Sequence, residues 1–173
     1  HIAIPKNGGN IAAIQTTKGK RAIIVCTKNV YLADIKTNKA RFLCTLPETY
    51  NYQLFYAQED SKGNIWLASS SRLHRFDIQQ HKWKEYPIKM FDINTITLLK
   101  DDQLLVPTTN TGVFIFDSQG ETHRQLLPSQ FTGLINKHIL GAYYDRESNN
   151  IWLNYHKQGM AVAAYTSHTT HPH

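Results

Sequence analysis

The chain has 173 residues, 41% of them hydrophobic, and carries 19 Lys and Arg against 13 Asp and Glu for a net charge of +6. That is enough apolar material for a packed core of ordinary domain size, but the apolar runs, such as Ala22-Ile23-Ile24-Val25-Cys26, are strand length and far short of the roughly 18 residues a membrane span needs. The basic residues are scattered, which argues against the concentrated basic stripe of a nucleic-acid binder; their tightest group is Lys18, Lys20 and Arg21, in a predicted turn.

The chain opens on His1-Ile2-Ala3-Ile4-Pro5, without an initiator Met or a signal peptide, and reads as a piece of a longer polypeptide. Its first unit runs through Lys18-Gly-Lys-Arg-Ala-Ile-Ile24-Val25 and Val30-Tyr-Leu-Ala-Asp34. The second repeats the pattern as Asp60-Ser-Lys-Gly-Asn-Ile-Trp66-Leu67 and Leu73-His-Arg-Phe-Asp77. A third, without Trp, follows as Leu99-Lys-Asp-Asp-Gln-Leu-Leu105-Val106 and Val113-Phe-Ile-Phe-Asp117. The fourth is Asp145-Arg-Glu-Ser-Asn-Asn-Ile-Trp152-Leu153 and Met160-Ala-Val-Ala-Ala-Tyr165, with no closing Asp and no convincing fourth strand. Trp66 and Trp152 are 86 positions apart, and Asp34 and Asp77 are 43 apart. A period near 43 marks a repeat architecture.

Each unit divides into four short alternating segments, a to d, separated by turn residues. In the second unit these are 54–59, 64–68, 72–78 and 82–86. Four antiparallel strands per 40–45 residues predict an all-β fold of β-propeller blades. The expected blades are 9–46, 50–87, 94–128 and 138–166, with a flexible tail over 167–173. Four is fewer than the seven of a common propeller, so terminal blade faces should be open. Ile24, Trp66, Leu105 and Trp152 are assigned one equivalent position that fills the layers between blades. Trp66 and Trp152 should be buried alike. Cys26 on strand b and Cys44 on strand d, with strand c between them, should be too far apart to bond. The acidic a–b turns at 60–64, 101–102 and 145–150 are read as turn formers. The histidines of the tail, His168, His171 and His173, are likewise read without a metal role.

Glu59-Asp60-x-x-Gly63-Asn64-Ile65-Trp66-Leu67 followed by Leu73-x-x-Phe76-Asp77 resembles the two-component-regulator propeller repeat. So do Tyr144-Asp145, Asn150-Ile151-Trp152-Leu153 and Gly159-Met160. The resemblance spans about residues 10 to 165. It implies a fragment of the extracytoplasmic sensor of a Bacteroides-type hybrid two-component system. Such sensors typically carry two seven-bladed propellers before a small β-sandwich, a membrane helix and a histidine kinase. It further implies a periplasmic location, a parent anchored in the inner membrane, paired parent chains, and a ligand site on the propeller rim.

That rim should gather the d–a and b–c connections. Its candidate ligand residues are Tyr155, His156 and Lys157, with Arg72, Asn110 and Tyr52. Aromatic rings can stack on sugar faces, amides can bond hydroxyls, and cations can pair with carboxylates or sulfates. The partner read from these types is an oligosaccharide, with the charge of +6 tilting it towards an acidic one. Other blades of the parent chain are partners too. No nucleophile elbow, phosphate loop or His-Glu-x-x-His motif is present. The chain is therefore read as a non-enzyme with neither cofactor nor metal. The alternatives are a propeller enzyme of polysaccharide lyase or lactonase type, and a protein-interaction scaffold.

Overall fold

A computed structural model describes residues 2–4, 9–17, 19–47, 56–86, 93–109, 111–117, 123–126, 139–155 and 159–165. The described secondary structure is all β. The first sheet is a meander of β1 (Ile11–Thr17), β2 (Arg21–Cys26), β3 (Asn29–Asp34) and β4 (Lys39–Thr45). The second is β5 (Tyr56–Glu59), β6 (Ile65–Ala68), β7 (Leu73–Asp77) and β8 (Lys82–Tyr86). The third is β9 (Thr97–Leu98), β10 (Leu104–Thr108), β11 (Gly112–Phe116) and β12 (His123–Leu126). The fourth has three strands among the described residues: β13 (Ile139–Asp145), β14 (Asn150–Tyr155) and β15 (Gly159–Ala164). Every pairing between described strands is antiparallel and joins neighbours in sequence, which is the blade meander that the repeat predicts; one isolated parallel bridge joins Ala3 to Lys39. The chain forms two compact units, 1–90 and 91–173, and each unit holds two sheets.

Each unit is held together by a layer between its two sheets. In the first, Ile23, Val25, Val30, Leu32 and Leu43 meet Ala57, Ile65, Leu67 and Phe76. In the second, Leu99, Leu105, Val113 and Ile115 meet Ile139, Tyr144, Ile151 and Leu153. Alternation explains the membership: along β14, Ile151, Leu153 and Tyr155 are buried, whereas Trp152 and Asn154 are exposed.

Two expectations change. The ladder pairs Trp66 with Gln58 and Arg75, and Ile23 with Gln15 and Leu32. Ile23, not Ile24, is thus the counterpart of Trp66. A one-residue slip reverses the face, and Ile24 instead packs with Cys26 and Tyr31 beneath Ile2 and Ile4. The run from Ala22 to Cys26 is apolar on both faces, so nothing in its pattern fixes the register. The two tryptophans also differ. Trp66 is 0% exposed and Trp152 is 36% exposed. The fourth strand of the second sheet supplies Tyr86, whose ring stacks on Trp66 at 5.4 Å. Trp152 shares its face with Tyr143 and Met160, both well exposed.

The aspartates work as turn formers. Oδ1 of Asp34 accepts the backbone N–H groups of Lys36 (2.7 Å) and Thr37 (3.1 Å), and Oδ1 of Asp77 does the same for Gln79 and Gln80 (both 2.9 Å). Each turn closes through a left-handed residue four positions on, Asn38 (φ 54°) and His81 (φ 53°). One glycine is required sterically: Gly9 (φ 81°) lies over the b–c turn of the first sheet, where a Cβ would fall 2.0 Å from Thr27 Oγ1.

Cys26 and Cys44 are both free and buried, as their strand assignment predicts. They occupy opposite faces of the first sheet, Cys26 beneath Ile2 and Ile4 and Cys44 in the layer against the second sheet. Burial raises both thiol pKa values, that of Cys44 to about 12 from an ordinary value of 9.0. A thiol reagent at pH 8 is therefore expected to leave the folded protein unlabelled and to label two groups after unfolding without reductant. Labelling of the folded chain at the rate of a free thiol would contradict this placement. Because the folded pKa is raised, the linked stability is intact below the unfolded value near 9.0 and is lost as pH rises towards about 12.

Candidate functional site

In each unit the candidate residues sit at the b–c turns of its own sheets. In the second sheet, Ser69 N–H donates to Arg72 C=O at 2.9 Å and closes a tight turn with Ser70 and Ser71 at its tip and Arg72 at its end. Arg72 Nη1 donates to Glu85 Oε1 at 2.5 Å, and both side chains are exposed. The other carboxylate oxygen of Glu85 stands 4.0 Å from Nε2 of buried His74, its cross-strand partner. Burial lowers the His74 pKa most; Glu85 opposes this and Arg72 adds to it. His74 also meets the edge of Trp83, whose indole N–H donates to Thr45 C=O at 2.8 Å and ties β8 to the first sheet. The result is a short polar chain, Arg72–Glu85–His74, running from the surface inward. At 4.0 Å His74 and Glu85 stand beyond hydrogen-bond distance, so the contact between them is electrostatic. Arg72 can exchange Glu85 for an anionic ligand.

In the second unit, the b–c turn of the third sheet is built from threonines. Thr108 and Thr111 share a hydrogen bond between hydroxyls at 2.7 Å, and Thr111 C=O accepts from Gln125 Nε2 at 2.6 Å. Asn94 bonds Thr109 Oγ1 at 3.0 Å and also donates to Ile139 C=O, joining the third sheet to the start of the fourth. Tyr155 ends β14 with its ring in the layer between these sheets, 5% exposed. Its hydroxyl is buried, has no hydrogen-bond partner among the described residues, and has its pKa raised to about 12 by desolvation. The ring is therefore not presented as a stacking platform; what remains to it is one unsatisfied hydroxyl. Tyr52, Asn110, His156 and Lys157 lie outside the described residues.

Among the six predicted ligand residues, the structure thus places Arg72 on an exposed turn and Tyr155 in a core. Sequence reasoning missed His74 and Glu85 as partners of Arg72. His74 shares a face with Phe76 at period two, so it reads as an ordinary core position. Its counterpart Glu85 lies eleven residues away on the next strand, and only the register joins them. At the opposite end of the second unit, Tyr165 donates its hydroxyl to Gln103 Oε1 at 2.7 Å beside Asp101, a second polar seam between the third and fourth sheets. Among the described residues, no three His, Cys, Asp or Glu side chains converge as a metal site would need. No described helix is long and apolar enough to cross a membrane.

No family model matches the sequence, and no curated protein matches it. Solved structures do match in fold. The extracellular domain of a protein assigned as a hybrid two component system of B. thetaiotaomicron aligns over 98% of this chain at 18% identity and a TM-score of 0.64. A second such domain from B. thetaiotaomicron aligns over 88% at 19% identity and a TM-score of 0.56. Virginiamycin B lyase from Staphylococcus aureus aligns over 98% at 15% identity and a TM-score of 0.59. The chain spans 23% and 20% of the two extracellular domains and 60% of the lyase. The blade fold predicted from the repeat is thus shared with extracellular domains of the resembled sensor class.

Proposed function

We propose that this chain is part of the extracytoplasmic sensing region of a two-component system and binds an oligosaccharide signal at the b–c end of its blades. The observation that carries this reading is the fold shared across nearly the whole chain with extracellular domains of two such systems. The parent is periplasmic, anchored in the inner membrane, and works as a pair of chains. Ligand acts through its differential affinity for two arrangements of that pair, which a kinase outside this chain reads. The blades supply binding and no chemistry. Arg72 suits this role because its partner Glu85 is exposed and can be displaced by a ligand carboxylate or sulfate at small cost. His156 and Lys157 follow Tyr155 in the sequence and lie outside the described residues.

The fold shared with a lyase supports an enzyme as the second reading, so one experiment addresses both. The intact extracytoplasmic region of the parent is titrated calorimetrically with neutral and acidic oligosaccharides at two salt concentrations. Binding of an acidic oligosaccharide is expected to weaken with salt and to fall roughly tenfold in Arg72→Ala and in Lys157→Ala, the loss of one charge-assisted contact each. Tyr155→Phe removes only the hydroxyl and leaves the core packed. Turnover of any glycan would favour the enzyme, and no binding across a broad panel would favour a scaffold.

A further inference from the structure

The basic turn noted in the sequence acquires a setting at the opposite end of the first sheet. The ladder places Arg21 of β2 opposite Asp34 of β3, and Asp34 opposite Lys39 of β4; the next row on the same face sets Leu32 opposite Arg41. These side chains line an open groove of about 400 Å³, within the size range of small-molecule sites. Lys20 and Lys36 flank it from the a–b and c–d turns, which are clasped by the bond from Ile35 N–H to Lys20 C=O at 2.9 Å.

The charges do not cancel. Arg21 is paired with Glu59, whose carboxylate is buried. Asp34 keeps its charge while Oδ1 accepts from the backbone of its own turn, so the three cations Arg21, Lys39 and Arg41 face the two carboxylates of Asp34 and Glu59 and one positive charge is in excess. Lys39 and Arg41 are exposed on one face, two positions apart, and no described carboxylate forms an ion pair with either. Like charges so close on a strand repel, and a bound oxyanion would relieve the repulsion. Lys offers a compact charge, while Arg offers a planar fork that matches a carboxylate or sulfate.

We infer that this groove is an anion-binding site for a saccharide-sized ligand bearing carboxylate or sulfate groups, held chiefly by Lys39 and Arg41. It is separate from the site at the b–c end and does not depend on it. The test uses the chain of 173 residues, followed by NMR through the backbone amides of residues 32–41, with three probes: digalacturonate, a neutral disaccharide of the same size, and inorganic sulfate. Digalacturonate is expected to shift these amides, to bind more weakly as salt rises, and to lose about tenfold in affinity in Lys39→Ala and in Arg41→Ala. Arg41→Lys should recover part of that loss. Lys62→Ala, in the a–b turn of the second sheet, should leave binding unchanged. A response to sulfate alone would mean an adventitious ion only and would overturn the proposal. So would equal binding of the neutral disaccharide, or digalacturonate binding that survives both groove substitutions. Loss of binding in Arg72→Ala with the groove variants unaffected would place the anion at the b–c end instead.

Discussion

Trp66→Ala is expected to destabilise the protein by about 3–5 kcal/mol, as large aromatic truncations in closed cores do. Trp66 is 0% exposed, its ring stacks on Tyr86 at 5.4 Å, and the Arg75 guanidinium lies 5.7 Å from the ring centroid. Truncation opens a cavity in the second sheet's packing and removes both ring contacts. Its indole N–H is buried without a hydrogen-bond partner among the described residues, so Trp66→Phe discards an unsatisfied donor while keeping much of the area. That variant should retain more than half of the lost stability. The repeat-related Trp152, 36% exposed, should lose clearly less when changed to Ala, below about 2 kcal/mol. Urea unfolding followed by far-UV circular dichroism gives these values as midpoint shifts at constant slope. A loss below about 1 kcal/mol for Trp66→Ala would contradict its burial. Equal losses at the two tryptophans would contradict the difference between their faces.

That difference shows where the sequence stops being informative. The strand order was legible because turn chemistry recurs at fixed offsets: Asp34 and Asp77 each open a c–d turn, and Asp60 and Asp145 each open an a–b turn. In β14 the run Ile151-Trp152-Leu153 is apolar on both faces, and the expected burial of Trp152 picked the wrong one: Ile151, Leu153 and Tyr155 are buried. In β2, too, Ala22 to Cys26 is apolar on both faces, and the pairing register alone decides that Ile23 and not Ile24 matches Trp66. Burial of Trp152 could not be read from Trp66, since an identical motif says nothing of what covers a face. The candidate site was less legible still. Arg72 follows from its place on a b–c turn. Its coupling to Glu85 and His74 depends on contacts across strands that no local pattern encodes. Tyr155 looked like a loop residue beside His156 and Lys157, yet it continues the buried face of Ile151 and Leu153, and its ring goes with them.

The second large effect is expected at Asp60. This carboxylate is 6% exposed and organises the whole a–b turn of the second sheet. Oδ1 accepts from Lys62 N–H at 3.0 Å and Asn64 N–H at 2.9 Å, Oδ2 accepts from Asn64 Nδ2 at 2.9 Å, and Arg75 Nη2 approaches Oδ2 at 3.5 Å. Asn64, so held, accepts from Ile78 N–H at 3.1 Å and links the turn to the end of β7. Asp60→Ala removes the acceptor for three donors and leaves the nearly buried Arg75 with Asp77 at 3.9 Å as its ion-pair partner among the described residues. Stranding a buried charge is costly, and the expected loss is about 3–5 kcal/mol. Asp60→Asn keeps the size and one acceptor oxygen but not the charge, and should cost about 1–3 kcal/mol. In a double-mutant cycle, Asp60→Ala with Arg75→Met should lose at least about 1 kcal/mol less than the two single losses combined, because Arg75 no longer needs a partner. Asp77 has the same turn role but sits at the surface, so Asp77→Ala serves as the reference. An Asp60→Ala loss no greater than that of Asp77→Ala would mean that the buried network contributes nothing beyond turn formation.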